Sequence, residues 1–175
     1  MKKYPTYSGT QGFYAAVFPQ PGLGFSSLLA LIKHVTGLTL ADPKETRDDI
    51  SWHCTVMYSK SALTCPPTEA SSVAARMTGP LMVNCRNFDY WEGHDNKGYF
   101  VAVLDAPDLH RWHEEWEFLG AVPTFDEYKA HITLTVGEDA KKIKEFLPKL
   151  IASVVARGGL PIILDNLTIY DLKDD

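Results

Sequence analysis

The segments SWHCTVMYS (51–59) and YKAHITLTV (128–136) constrain this chain more than any other part of it. Each sets a His and a Thr two residues apart, His53 with Thr55 and His131 with Thr133, in a run rich in apolar and β-branched residues. Such runs read as strands. In a strand, residues i and i+2 share a face. Each segment therefore offers an imidazole and a hydroxyl side by side, while Cys54 and Ile132 turn to the other face to pack. Two half-buried strands with matching polar faces are predicted, one in each half of the chain.

A lone His-x-Thr is weak evidence, because six His residues make about one chance match expected. A third match, His34-Val35-Thr36, shows the distinction. It ends the amphipathic run FSSLLALIKHVTG, with Ser26 or Ser27 as the expected N-cap and Gly37 as the stop. On a helix, i and i+2 point about 200° apart. His34 there is a partner for the helix dipole and no part of a site. The two strand-borne pairs, facing each other, would hold a phosphate between two imidazoles and two hydroxyls. That arrangement suits acid–base cleavage of a phosphodiester without a metal.

Along the rest of the chain, GFYAAVF (12–18) reads as a strand, followed by a PQPG turn and a helix at 25–36. ADPKETRDD (41–49) is a polar connection and 61–71, with Pro66-Pro67, a loop. Residues 72–92 read as two strands broken near Gly79-Pro80, and 99–105 as another strand. Asp108 is placed to cap a helix over 109–119. The segment 138–159 is helical with a break at Pro148, and 161–172 is the last strand. Strand–helix–strand thus occurs early and late, each time with a His-x-Thr on the strand after the helix. The layout is that of a duplicated half-fold within one domain spanning 1–175.

Composition narrows the partners. A net charge of −5 argues against gripping long nucleic acid through its backbone, yet leaves room for one small phosphorylated ligand. No apolar run is long enough to span a bilayer. MKKYPTYSGTQG has the lysines of a signal peptide without the apolar stretch that follows them. Cys54, Cys65 and Cys85 are odd in number and lack metal-ligand spacing, as expected of a reduced, intracellular protein. His110, His113 and Glu114 share a helix, but no third ligand is spaced to join them, so they read as a solvated face. Lys60 reads as a surface lysine.

The two His-x-Thr pairs, each followed by an apolar residue, resemble the signature of the two-histidine (2H) phosphoesterase superfamily. Gly12-Phe13-Tyr14-Ala15, HCTVMYS, the aromatic pair Tyr90-Trp91 and YKAHITLT are most similar to viral anti-CBASS cyclic-oligonucleotide phosphodiesterases. The resemblance implies an α+β fold of two pseudo-symmetric lobes of antiparallel sheet with outer helices and a cleft between them. It implies His53, Thr55, His131 and Thr133 as a catalytic tetrad, and Tyr14 and Trp91 as nucleobase contacts. In those relatives an acidic residue of the last strand helps bind ligand; here Asp165, Asp171 or neither corresponds to it.

The activity so implied opens 3′–5′ linkages of cyclic di- or trinucleotide signals, using no cofactor and no metal. It would act in the cytoplasm of an infected host cell and blunt antiviral signalling. The substrate's own 2′-OH would attack phosphorus and leave a 2′,3′-cyclic phosphate. Two other readings keep part of this: a phosphodiesterase for RNA 2′,3′-cyclic ends or 2′–5′ oligoadenylates, and a module that binds cyclic nucleotides without cleaving them.

Overall fold

Among the described residues, six strands and six helices follow one another along the chain, and the six strands pair antiparallel. The computed structural model describes residues 6–46, 50–77, 79–93, 95–125 and 127–172. The order is β1 (Phe13–Pro19), α1 (Leu23–Thr36), α2 (Pro43–Thr46), β2 (Cys54–Ser59), α3 (Pro67–Arg76) and β3 (Leu81–Glu92). Then come β4 (Gly98–Asp105), α4 (Pro107–Phe118), β5 (His131–Val136), α5 (Glu138–Lys144), α6 (Leu147–Ala156) and β6 (Leu160–Asp171). The expected mixture of helices and antiparallel strands is present. The strands, however, close into one ring in the order β1-β2-β5-β4-β3-β6 and do not form two separate sheets.

The ring is uneven. β3 and β4 pair from Asn84–Asp105 to Glu92–Gly98, with one bulge between Cys85 and Asn87, and β3 continues onto β6 from Leu81 to Cys85. β2 and β5 meet in register at one pair, Cys54 opposite Ile132. That junction is the thin seam of the ring, and both His-x-Thr segments lie on it.

Alternation decides which face is which. Phe13, Ala15, Cys54, Val56, Phe88, Phe100, Ile132 and Leu134 are buried in one core with residues of the helices, among them Leu28, Leu109, Trp116, Ile143 and Leu150. Helices α1, α4, α5 and α6 pack on β6, β2, β4 and β3. A helix with its side chains is about 10 Å across, and a six-stranded ring has no room for one inside. The helices therefore cover the outer face, and the core lies between them and the ring. Fully burying a side chain such as Phe88 or Phe100, stacked at 5.4 Å, contributes about 2–3 kcal/mol. The opposite strand face carries His53, Thr55, His131 and Thr133, which stay partly open to solvent. Tyr14, Ala16 and Ile50 form a separate small cluster there with Phe18 and Tyr170.

Several local expectations change. Residues 67–76 are helix α3, where a loop and then a strand were expected. Pro67 opens this helix, at the position where a missing N–H costs nothing, and Ala70 and Val73 give it a buried stripe at i,i+3 spacing. α1 begins earlier than Ser26, with Gly22 as its N-cap, and ends as expected at Gly37 in the left-handed region, with φ 77. Ala106 precedes α4 as its cap, and Asp108 instead pairs with Arg111 in the first turn. The helical segment is broken near Pro148 as expected, but the gap falls between Lys144 and Leu147, and Pro148 sits in the first turn of α6.

Candidate active site

The Cys54–Ile132 pair fixes the geometry of the site. Cys54 and Ile132 are fully buried on the outer face, while His53, Thr55, His131 and Thr133 are partly exposed. Stepping one residue either way in an antiparallel register brings Thr55 across from His131 and His53 across from Thr133. Directly opposed residues carry Cβ atoms about 5 Å apart. The structure thus brings all four predicted residues to one patch, each His facing the other motif's Thr. One detail departs from the expectation. β2 starts at Cys54, so His53 sits just before the strand and is held by its side chain.

Both imidazoles are tethered the same way. His53 Nδ1 lies 2.8 Å from the Ser51 carbonyl oxygen, and His131 Nδ1 lies 2.7 Å from that of Lys129, two residues back in each case. A carbonyl only accepts, so each Nδ1 carries the hydrogen. Nε2 is then the ring nitrogen able to take or give a proton. At His53 this atom meets the Tyr14 hydroxyl. At His131 the Trp91 ring packs edge-on at 4.6 Å.

Burial holds the His131 pKa below the ordinary histidine value, although the bond to Lys129 pulls the other way. The native state therefore binds fewer protons here than the unfolded chain, and stability rises with pH through the histidine range. Lowering the pH from about 7 to about 5 is expected to reduce the Tm of the wild type more than that of His131→Gln, as read by thermal unfolding. Equal slopes for the two proteins would contradict a neutral, buried His131. Cys54, between His53 and Thr55, is no nucleophile: burial pushes its thiol up to about 12.

Tyr14 and Trp91 stand differently from each other. Tyr14 is only 5% exposed, with its ring between Tyr58 at 5.9 Å and Tyr170 at 6.0 Å. The three tyrosines form one row across β2, β1 and β6, and Tyr58, 42% exposed, is its open end. Trp91 is half-buried, and its indole N–H donates to Asp89 at 2.8 Å. Its neighbour Tyr90 faces the other way, under Lys144.

A family model described as anti-CBASS protein Acb1 matches residues 25–158. The chain belongs to the Acb1 family. A relative from Vibrio phage KVP40, itself described as anti-CBASS protein Acb1, is 26% identical over 133 residues, covering 76% of this chain and 78% of the relative. The Acb1 family match spans both His-x-Thr segments, Asp89 and Trp91. Tyr14 on β1 and the whole of β6 lie outside it.

Around this Acb1 core, the structure separates the two aspartates of the last strand. Asp165 lies opposite Phe18, whose ring is 6.2 Å from that of His53, and accepts a bond from Gln20. Asp171 is buried and accepts the Ser8 backbone N–H. The expected solvated face at 110–114 also changes. His110 and Glu114 are exposed, but His113 is buried, with Nδ1 2.7 Å from the Val56 carbonyl and its ring stacked on Tyr128 at 4.3 Å. Among the described residues, no group of three His, Cys, Asp or Glu could hold a metal ion, and no helix is long and apolar enough to cross a membrane.

Sequence reasoning passed over Tyr58, Tyr170, Trp52 and Tyr128. Tyr58 and Tyr170 become visible once register places them beside Tyr14. The other two were hidden because an aromatic next to a strand motif reads first as packing.

Proposed function

We propose that this chain is a metal-independent phosphodiesterase of the two-histidine type that opens cyclic di- or trinucleotide signals, and so counteracts antiviral signalling. What carries the reading is the pairing of the two His-x-Thr segments across one antiparallel register position, with each imidazole Nδ1 held by a backbone carbonyl. The Acb1 family match, and the anti-CBASS description of the phage relative, supply the substrate class. In this reading β6-β1-β2 and β5-β4-β3 act as two lobes, and the whole chain is one domain.

The substrate carries its own nucleophile, the 2′-OH beside the 3′–5′ linkage. His131, kept neutral by burial, takes the 2′-OH proton as oxygen attacks phosphorus. The 2′-O–P bond forms and the P–O5′ bond breaks. His53, protonated on Nε2, delivers its proton to the departing 5′ oxygen. The products are a 2′,3′-cyclic phosphate and a 5′-OH. Thr55 and Thr133 hydrogen-bond the non-bridging oxygens and stabilise the charge that builds there. Trp91 stacks on one base. The Tyr14–Tyr58–Tyr170 row forms an aromatic floor for another, with Tyr14 also holding the His53 ring.

One incubation tests this. Cyclic GMP–AMP isomers and linear RNA with 2′,3′-cyclic ends are mixed with the protein in excess EDTA, and the products are separated by chromatography and read by mass, since opening by the 2′-OH adds no water and leaves the mass of the ring unchanged. Opening of the cyclic dinucleotide, undiminished by the chelator, is the expected result, because two imidazoles suffice to move both protons. Activity lost to EDTA and restored by a divalent ion would overturn the metal-independent mechanism. Cleavage of the linear ends alone would move the assignment to RNA ends, and tight binding without products would make the chain a sequestering module.

A further inference from the structure

The seam between β2 and β5 has little ladder to hold it, yet the proposed reaction needs the two histidines at a fixed separation. The side chains of Trp52 and Tyr128 cross that seam in opposite directions. Trp52, one residue before His53, donates its indole N–H to the carbonyl of Leu134, one residue after Thr133, at 3.0 Å. Tyr128, three residues before His131, donates its hydroxyl to the carbonyl of Thr55 at 2.7 Å. Each motif's backbone is thus tied by a side chain from the segment leading into the other motif.

Both aromatic rings are anchored independently of these bonds. The Trp52 ring packs edge-on against Phe25 of α1 at 5.2 Å. The Tyr128 ring stacks on His113 of α4, which is itself bonded to the Val56 carbonyl of β2. Burial raises the pKa of the Tyr128 hydroxyl, so it stays a donor at all working pH values. The outer helices thereby brace the seam through two hydrogen bonds placed on either side of the Cys54–Ile132 pair.

We propose that Trp52 and Tyr128 are positioning residues that clamp the two His-x-Thr segments together and set the spacing of His53 and His131 for in-line cleavage. This rests on the two-histidine reading above. The clamp acts on geometry and touches no substrate, so its loss falls on kcat and spares KM. A small displacement of reacting groups costs up to about 10²-fold in rate.

The test uses Trp52→Phe, Tyr128→Phe and their double variant, which keep the rings and remove only the donors. Tyr7→Phe is the control: it removes a comparable bond, in which the Leu63 backbone N–H donates to the Tyr7 hydroxyl at 3.1 Å, away from the seam. Each single clamp variant is expected to lose about tenfold in kcat, with KM changed less than about twofold, and the double variant to lose more than the product of the two. Tyr7→Phe keeps wild-type kcat. Amide hydrogen exchange over 53–55 and 131–133 is measured alongside. It is expected to rise about tenfold or more in the double variant and to stay unchanged in Tyr7→Phe.

If the clamp variants lose Tm as the control does but keep kcat and seam protection, the clamp is refuted while the proposed reaction stands. If the wild type cleaves nothing, the proposed reaction is refuted. The exchange data then decide the clamp by themselves, and singles that keep the wild-type circular dichroism decide it if the double variant does not fold.

Discussion

His53→Ala and His131→Ala each lose turnover by about 10²–10⁴-fold, the usual scale for removing a general acid or base, while keeping the fold. Neither ring belongs to the core beneath the helices: both are partly exposed on the opposite strand face. Truncation removes one imidazole–carbonyl bond at Ser51 or Lys129, worth about 1 kcal/mol net, and leaves Cys54 and Ile132 packed. The two losses are not redundant. The groups lie on opposite sides of the seam, and in the proposed mechanism they move protons at opposite ends of the phosphorus displacement. Thr55→Ala and Thr133→Ala lose less, because each hydroxyl is one hydrogen bond among several. The check is kcat on a cyclic dinucleotide beside the Tm of each variant. Near-normal turnover by either well-folded variant would end the two-histidine mechanism.

Much of this was legible locally and little of it at long range. Alternation in HCTVM and HITL gave the correct faces, since a period of two needs no knowledge of the neighbouring strand. α1 and the break near Pro148 followed from periodicity and from proline's missing donor. Helix α3 was not legible: Pro66-Pro67 reads as a loop, and only the structure shows that Pro67 sits where a helix tolerates it best. Closure of the ring was not legible either. It depends on β3 meeting β6 and on β2 meeting β5, pairings between segments far apart in the chain. The same holds for the site's finer contacts. That Tyr14 reaches His53, and that His113 turns inward to Tyr128, follows from register and packing that no single segment encodes.

The role of the substrate's 2′-OH is the centre of the account, because it assigns the nucleophile to the ligand and only proton transfer and charge stabilisation to the protein. A cyclic dinucleotide with a 2′-deoxy sugar at the scissile linkage removes that nucleophile and little else. In the proposed binding mode, stacking on Trp91 and the phosphate contacts of the tetrad persist, so affinity is expected to fall modestly. The most direct measurement is a side-by-side incubation of native and 2′-deoxy substrates, with binding followed by calorimetry and products by chromatography and mass. The account predicts that the native substrate yields a 2′,3′-cyclic phosphate, one water lighter than the linear monophosphate, and that the deoxy analogue binds and is not cut. Cleavage of the deoxy analogue at a comparable rate, giving a linear phosphate directly, would show that water or a protein side chain attacks, and would contradict the role given to both His-x-Thr segments.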